Sequence, residues 1–142
     1  LLTPDLLWVL AAMGHGDDLA LVDANFPAET VARRTTSGRL VRMPGLTMAR
    51  AAEAVLSLLP IDTFVDDPVR RMEVGGDAGT LPPIQQEVQQ VIDRAAGRAL
   101  PLAGIERYAF YEAASRAFAV VQVGDMRPYG CFLIRKGVVL AE

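Results

Sequence analysis

The sequence DDLALVDAN at residues 17–25 indicates the fold class of this chain. Its centre, residues 19–22, is a short run of apolar residues with two aspartates directly before it and Asp23 directly after it. A continuous apolar run of this length is typical of a strand whose two faces are both covered, as in a sheet with helices on each side. The rest of the chain is therefore expected to alternate between similar strands and amphipathic helices.

Helical spacing and capping residues predict the helices that cover this sheet. Thr3 and Pro4 begin the first helix, and Gly14 is predicted to end it in the left-handed conformation. The other predicted helices are 29–34, 47–58, 83–97 and 108–117, and the other predicted strands are 40–43, 69–74, 118–123 and 131–135. A turn-rich segment separates the last two strands and favours a terminal hairpin. The pattern predicts the α/β class, as a three-layer α/β/α sandwich with a mixed, mostly parallel sheet and a C-terminal antiparallel strand pair.

Length and composition limit the class of protein. The 142 residues are predicted to form a single domain, 1–142. The 14 basic and 17 acidic side chains give a net charge of −3, which argues against nucleic acid as a partner. One cysteine excludes an internal disulfide framework and fits a reducing compartment, so a cytoplasmic location is expected. The longest apolar run, 6–13, is far shorter than the ~20 residues of a membrane span, and the 51% apolar content favours contacts between subunits.

The sequence lacks the motifs of several large enzyme classes. It contains no phosphate-binding P-loop, no His-Glu-x-x-His zinc motif and no nucleophile elbow. With one histidine and one cysteine, a metal site would be nearly all carboxylate, and no acidic cluster has the spacing of metal ligands, so no metal is expected. His15 remains as the side chain whose ordinary pKa suits proton transfer near neutral pH. A lone histidine between two glycines is also typical of a surface or capping position, and spacing alone leaves both interpretations open.

Four other positions are candidates for the same site. Asp23 follows the first strand at the end where α/β proteins place ligand groups, Arg107 precedes an aromatic cluster, and Tyr129 lies in a Pro-Tyr-Gly turn. Each also has an ordinary structural interpretation: turn formation for Asp23, a solvated helix start for Arg107, and turn packing for Tyr129. Cys131 is more typical of a small buried residue than of a nucleophile.

Several segments together carry a resemblance to a known family. Residues 11–18, AAMGHGDD, and residues 22–27, VDANFP, resemble the opening signature of the L-fucose mutarotase and D-ribose pyranase family. The run RYAFYE at 107–112 resembles the fucose-type branch, and Tyr129-Gly130 with residues 133–138 resembles the family's C-terminal signature. These segments span nearly the whole chain.

The resemblance implies one sugar site. It implies the following roles: His15 and Tyr129 as the catalytic acid and base, and Asp23, Arg107, Tyr129, Gly130 and Cys131 as the sugar-binding residues. Cys131 stands where the family usually has an asparagine. This substitution of asparagine by cysteine removes an amide that would contact the sugar, which affects the choice of substrate.

The activity that the resemblance implies is mutarotation, the interconversion of α and β anomers of a free aldose such as L-fucose, without a cofactor. Within the family, the alternative is pyranose to furanose isomerisation of D-ribose, which the 107–112 run disfavours. From other classes, the alternatives are a noncatalytic monosaccharide-binding protein, favoured by Cys131, and a purely structural subunit. The resemblance also implies a homo-oligomer, often a decamer, with pockets at subunit boundaries where Arg107 or Tyr129 meets His15 of the partner subunit.

Overall fold

The computed structural model describes residues 1–140. In chain order the elements are α1 (Pro4–Ala12), β1 (Asp18–Val22), α2 (Ala28–Ala32), β2 (Leu40–Met43), α3 (Met48–Leu56), β3 (Val69–Met72), α4 (Pro83–Ala96), β4 (Ala103–Ile105), α5 (Arg107–Ser115), β5 (Ala119–Val123) and β6 (Phe132–Arg135). The predicted helices and strands are present, but β4 was missed because its short, glycine-containing run carries no apolar alternation. None of the helices within residues 1–140 combines the length and apolar character that crossing a membrane requires.

The strands form one sheet in the order β2-β5-β1-β6-β3-β4. β1 pairs in parallel with β5 and antiparallel with β6, and β6 also runs antiparallel to β3. The α/β class, with a mixed and mostly parallel sheet and an antiparallel strand at its C-terminal end, is confirmed. The predicted hairpin between the last two strands is wrong, because β1 lies between β5 and β6. The apolar run of β1 is buried on both faces and takes hydrogen-bonded neighbours on both edges, which places it in the middle of the sheet.

Helices cover both faces of the sheet, which gives the three predicted layers. On one face, Leu19 and Leu21 of β1 pack in a core with α1, α3 and α4. On the other face, Ala20 and Val22 pack with α2 and α5. Because all four side chains are completely buried, β1 leaves only its two ends for polar groups. The loop with His15 lies at the amino end, and Asp23 lies at the carboxyl end.

The loop between α1 and β1 is held by Lys136, which directly follows β6. The Lys136 ammonium donates hydrogen bonds to the carbonyl oxygens of Leu10 and Met13 at 2.7 and 2.6 Å, and so satisfies the C-terminal carbonyls of α1. The residue that ends the helix, Met13, is extended, and Gly14 does not have a positive φ, so the prediction of a left-handed Gly14 is wrong. Gly16, with a φ of 87°, makes the turn into β1 instead.

Candidate functional site at the carboxyl end of the central strand

A cavity of about 250 Å³ opens at the carboxyl end of β1. Its lining contains four of the six residues predicted for the site, together with five neighbours: Asp23, Asn25, Phe26, Met72, Arg107, Tyr111, Pro128, Tyr129 and Cys131. Gly130, also predicted, is buried within the same turn as Tyr129. The fold thus brings together one end of β1, one end of β3, the start of α5 and the turn before β6.

Asp23 ties the end of β1 to that turn. Its carboxylate is buried and accepts hydrogen bonds from the main-chain N–H groups of Asn25 and Gly130, both at 2.9 Å, and from the thiol of Cys131 at 3.5 Å. Burial raises the pKa of Asp23 above its usual value, and the hydrogen bonds from Gly130, Asn25 and Cys131 only partly oppose this effect. The carboxylate therefore shapes the cavity as well as lining it.

The turn at 128–131 is anchored on its other side by α4 and the loop after β3. Tyr129 has a φ of 63°, a left-handed conformation that is uncommon for any residue with a side chain. Its carbonyl oxygen accepts a hydrogen bond from Gln85 at 2.9 Å, and its hydroxyl accepts one from the main-chain N–H of Gly75 at 3.2 Å. At Gly130, a Cβ would overlap Cδ1 of Ile84, so a side chain would fit there only if Ile84 moved. These contacts fix the tyrosine at the cavity wall.

Arg107 supplies a positive charge at the rim of the cavity. It is exposed at the start of α5, and its Nε donates a hydrogen bond to the hydroxyl of Tyr111 at 3.1 Å. This hydrogen bond, followed by the charge interactions with Tyr111 and Tyr108, raises the pKa of Arg107 further above its usual value, so the guanidinium is protonated at every physiological pH. The guanidinium also lies 5.5 and 5.7 Å from the ring centroids of Tyr108 and Tyr111, which is within cation–π range.

The floor of the cavity is apolar. Phe26, Met72 and Cys131 are all buried and pack in the core cluster that also contains α2 and α5. Burial, together with the nearby Asp23 carboxylate, raises the pKa of the Cys131 thiol well above its usual value. Cys131 is therefore a neutral thiol, and the interpretation of it as a small buried residue agrees with its position.

His15 does not line this cavity. It lies at the opposite end of β1, so that the strand, roughly 16 Å long, separates it from Asp23. The Nε2 atom of His15 is 3.1 Å from Oδ1 of Asp62, and its ring packs edge-on against Phe64 with the centroids 5.0 Å apart. A carboxylate only accepts hydrogen bonds, so in the neutral imidazole Nε2 carries the proton and Nδ1 is the basic nitrogen. One chain alone does not bring His15 and Tyr129 together.

Asp62 is a site candidate that the sequence analysis missed. Burial acts to raise the pKa of Asp62, but hydrogen bonds from the Phe64 amide and from His15 outweigh burial and hold the pKa below its usual value. Asp62 is therefore ionised at neutral pH and orients the imidazole. The two residues are 47 positions apart, and no motif surrounds Asp62, so the sequence carried no signal for this pair.

Gln85 was also missed, because a glutamine on a helix is normally solvated. Its side chain is completely buried in α4. A signal existed in its spacing, since Gln85 falls on the same helical stripe as the apolar residues Val88 and Ile92.

Within residues 1–140, no three histidine, cysteine or acidic side chains lie close enough together to hold a metal ion.

Comparison with known proteins places the chain in a family. The model of the RbsD / FucU transport protein family matches residues 1–139. The chain belongs to this family. The family resemblance predicted from the signature segments is therefore confirmed.

Several relatives that match nearly the whole chain are named fucose mutarotase. The chain is 43% identical to the fucose mutarotase of Homo sapiens over 142 residues, covering 98% of this chain and 90% of that protein. It is 37% identical to the L-fucose mutarotase of Histophilus somni, covering 96% and 92% of the two chains. The crystal structure of the fucose mutarotase from Streptococcus pneumoniae in complex with L-fucose superposes with a TM-score of 0.85 at 32% identity, covering 98% of this chain and 95% of that one.

Proposed function

We propose that this protein is a mutarotase, a carbohydrate isomerase that interconverts the α and β anomers of a free aldose, L-fucose or a close analogue. The observation that carries the proposal is the cavity at the carboxyl end of β1, where Asp23, Arg107, Tyr129 and Cys131 converge. The fucose mutarotases of Homo sapiens and Histophilus somni, which match nearly the whole chain, support it.

The lining of the cavity suits a monosaccharide. Arg107 and the hydroxyl of Tyr129 offer polar contacts to ring hydroxyl groups, while Phe26, Met72 and Cys131 form an apolar floor. L-Fucose presents both kinds of surface, since it carries hydroxyl groups on the ring and a methyl group in place of the usual hydroxymethyl. An arginine fork also forms directional hydrogen bonds with hydroxyl oxygens, which would fix the orientation of the ring.

Mutarotation needs two proton transfers and no redox chemistry. A base removes the proton of the anomeric hydroxyl while an acid protonates the ring oxygen, the bond from C1 to the ring oxygen breaks, and the aldehyde forms. Rotation about the C1–C2 bond and reversal of both transfers then close the ring on the other face. In this proposal the imidazole of His15 and the phenol of Tyr129 serve as the two groups, and a positioned acid or base of this kind is worth ~10²–10⁴-fold in rate.

His15 reaches the sugar from a second copy of the chain in this proposal. The two halves of the site lie at opposite ends of β1, and both are bordered by exposed apolar side chains. Phe64, next to His15, is 70% exposed, and Tyr108 and Met126, next to the cavity, are 67% and 79% exposed. Apolar groups of this size beside polar functional groups are typical of subunit contacts. The ionised Asp62 would hold the imidazole through Nε2 and leave Nδ1 as the basic nitrogen.

Anomer exchange measured by NMR magnetisation transfer tests the proposal directly. L-Fucose, D-ribose and D-galactose are measured with and without protein, and we expect faster exchange of the L-fucose anomers. His15→Ala is expected to lower the rate enhancement by ~10²–10⁴-fold. No acceleration for any of the three sugars would overturn the proposed activity, and a fully active His15→Ala protein would overturn the mechanism.

A noncatalytic sugar-binding protein is the second candidate, and Cys131 is the observation that favours it. A thiol already hydrogen-bonded to Asp23 cannot replace the two donors of an amide, which would remove one contact from the proposed sugar site. Calorimetric titration with L-fucose separates the two candidates. Saturable binding without faster anomer exchange would support the binding protein, and faster exchange of D-ribose ring forms alone would support the ribose branch instead.

A further inference from the structure

Gln85 does not line the cavity, but it connects two residues that do, Met72 and Tyr129. Its side chain is completely buried, and its Nε2 donates hydrogen bonds to the carbonyl oxygens of Met72 at 2.7 Å and Tyr129 at 2.9 Å. Its Oε1 accepts a longer hydrogen bond, 3.4 Å, from the guanidinium of Arg71. Arg71 also donates to the carbonyl oxygen of Ala78 at 2.8 Å. One amide thus links the end of β3, the loop after it and the turn before β6.

The turn that Gln85 holds is strained. Tyr129 adopts a left-handed φ of 63°, which persists in a residue with a side chain only where the surroundings hold it. Its hydroxyl is held by Gly75, and the next residue, Gly130, is held by Asp23. Among the described residues 1–140, Gln85 is the one that makes a hydrogen bond with the main chain of Tyr129.

We propose that Gln85 is a positioning residue, which sets the place of the Tyr129 hydroxyl relative to the sugar without touching the sugar. This inference rests on the proposed function, because it assigns Gln85 a part in the same reaction. The neutral amide suits the position, since both of its N–H groups meet carbonyl oxygens. A carboxylate there would place an acceptor against those oxygens and remove the donors that Gln85 supplies to them.

The chain offers a matched control one helical turn further along α4. Gln89 has the same chemistry: its Nε2 donates to the carbonyl oxygen of Leu100 at 2.7 Å, and its Oε1 accepts from the amide of Leu102 at 3.0 Å. Neither residue lines the cavity. Gln89 therefore fixes a loop as Gln85 does, but it has no contact with the Tyr129 turn.

The experiment compares Gln85→Met and Gln85→Glu with Gln89→Met and Gln89→Glu. We expect kcat for L-fucose anomer exchange to fall roughly 10–100-fold in both Gln85 variants, because misplacing a catalytic group by about 1 Å has this effect. KM should change less than kcat, because Arg107 and Asp23 lie outside the hydrogen bonds that Gln85 makes. The Gln89 variants should keep kcat within about twofold of the unsubstituted protein, since their contacts lie away from the reacting groups.

A crystal structure of each Gln85 variant supplies a second readout, which does not depend on turnover. Tyr129 is expected to leave the left-handed region in these structures, and the glutamate variant serves if the methionine variant does not fold. Unchanged kcat in folded Gln85 variants, an equal loss in the Gln89 variants, or an unmoved Tyr129 would overturn the inference. Absence of exchange in the unsubstituted protein would instead count against the proposed function, even where Tyr129 moves in the variants.

Discussion

The two ends of β1 carry the two halves of the candidate site, and they are built differently. At the carboxyl end, Asp23 and Gln85 are buried and bind main-chain groups of a turn more than 40 residues away in sequence. At the amino end, the side chain of His15 is 45% exposed and Phe64 is 70% exposed, while Asp62 beside His15 is buried. The carboxyl end of β1 therefore forms a cavity within one chain, whereas the amino end presents an imidazole that Asp62 orients at the surface.

This arrangement explains why a single chain contains every residue of the candidate site but does not bring them together. Five residues of extended strand keep the ends of β1 roughly 16 Å apart, and the packed layers on both faces leave no route through the core. A rotation that closes a ring of identical subunits can set the amino end of one chain against the carboxyl end of the next. The proposed function therefore depends on assembly, whereas the cavity does not.

Mixing two inactive variants tests whether the two ends of β1 meet between neighbouring chains, and the expected effect on the exchange rate is the largest. His15→Ala removes the imidazole and Tyr129→Phe removes the phenol, so each protein alone is expected to lose ~10²-fold or more of the exchange rate. After unfolding and refolding an equal mixture, about a quarter of the sites should combine an intact His15 with an intact Tyr129 from the neighbouring chain. Anomer exchange by NMR should then recover to about a quarter of the unsubstituted rate.

Tyr108→Phe serves as the matched control for this experiment, because it removes a phenol that does not line the cavity. On its own, the control should keep the exchange rate of the unsubstituted protein. In an equal refolded mixture of Tyr108→Phe with His15→Ala, about half of the sites keep an intact His15. The exchange rate should then be about half that of the unsubstituted protein. No recovery in the mixture of His15→Ala with Tyr129→Phe would contradict a site shared between copies.

Removing the aspartate at each end should give a smaller, unequal effect on stability. Asp23→Ala leaves the buried main-chain N–H of Gly130 without an acceptor, which costs ~1–3 kcal/mol of the free energy of unfolding. Asp62→Ala frees the amide of Phe64 and the imidazole of His15, and water reaches both residues, so the loss should be smaller. Urea denaturation at neutral pH and fixed protein concentration measures both. Equal losses would show that the amino end is as tightly built as the carboxyl end.

The fold was predictable from the sequence where the signal was local. The apolar run 19–22 predicted β1, and Thr47 and Gly97 marked the ends of helices that the structure contains. The order of the strands in the sheet could not be predicted in this way, because it depends on contacts between distant segments. The segment between the last two strands has the composition of a hairpin turn, but Gly130 and Asp125 in it bind Asp23 and Ala24, and so carry the chain over the end of β1.

The candidate site divides in the same way. Asp23, Arg107 and Tyr129 each stood at a recognisable strand end, helix start or turn, and the structure brings them to one cavity. Asp62 and Gln85 act through contacts with residues 47 and 44 positions away. The helical spacing of Gln85 indicated that it is buried, but no local pattern records either contact. The role of His15 as a proton-transfer group stays a prediction, and its distance from the cavity depends on the length of β1 and on the closed packing around it.

The pH dependence of stability should distinguish the two ends by sign, with the smallest effect of the three. Burial raises the pKa of Asp23 above its usual 3.8, so its contribution to stability is fully present below pH 3.8 and is lost as pH rises through the folded-state pKa. At Asp62, burial is outweighed by hydrogen bonds from Phe64 and His15, and the pKa is lowered. Its contribution is therefore present above pH 3.8 and is lost as pH falls through the folded-state pKa.

Urea denaturation midpoints of Asp23→Asn and Asp62→Asn, measured from about pH 3 to pH 6 at fixed protein concentration, test these opposite signs. The stability difference between the unsubstituted protein and Asp62→Asn should grow with rising pH, because the unsubstituted protein gains the ionised carboxylate. The difference for Asp23→Asn should shrink over the same range, because ionising a buried carboxylate weakens the folded state of the unsubstituted protein. Two differences that change in the same direction would mean that burial does not dominate at Asp23, and that the carboxyl end of β1 is as open to water as the amino end.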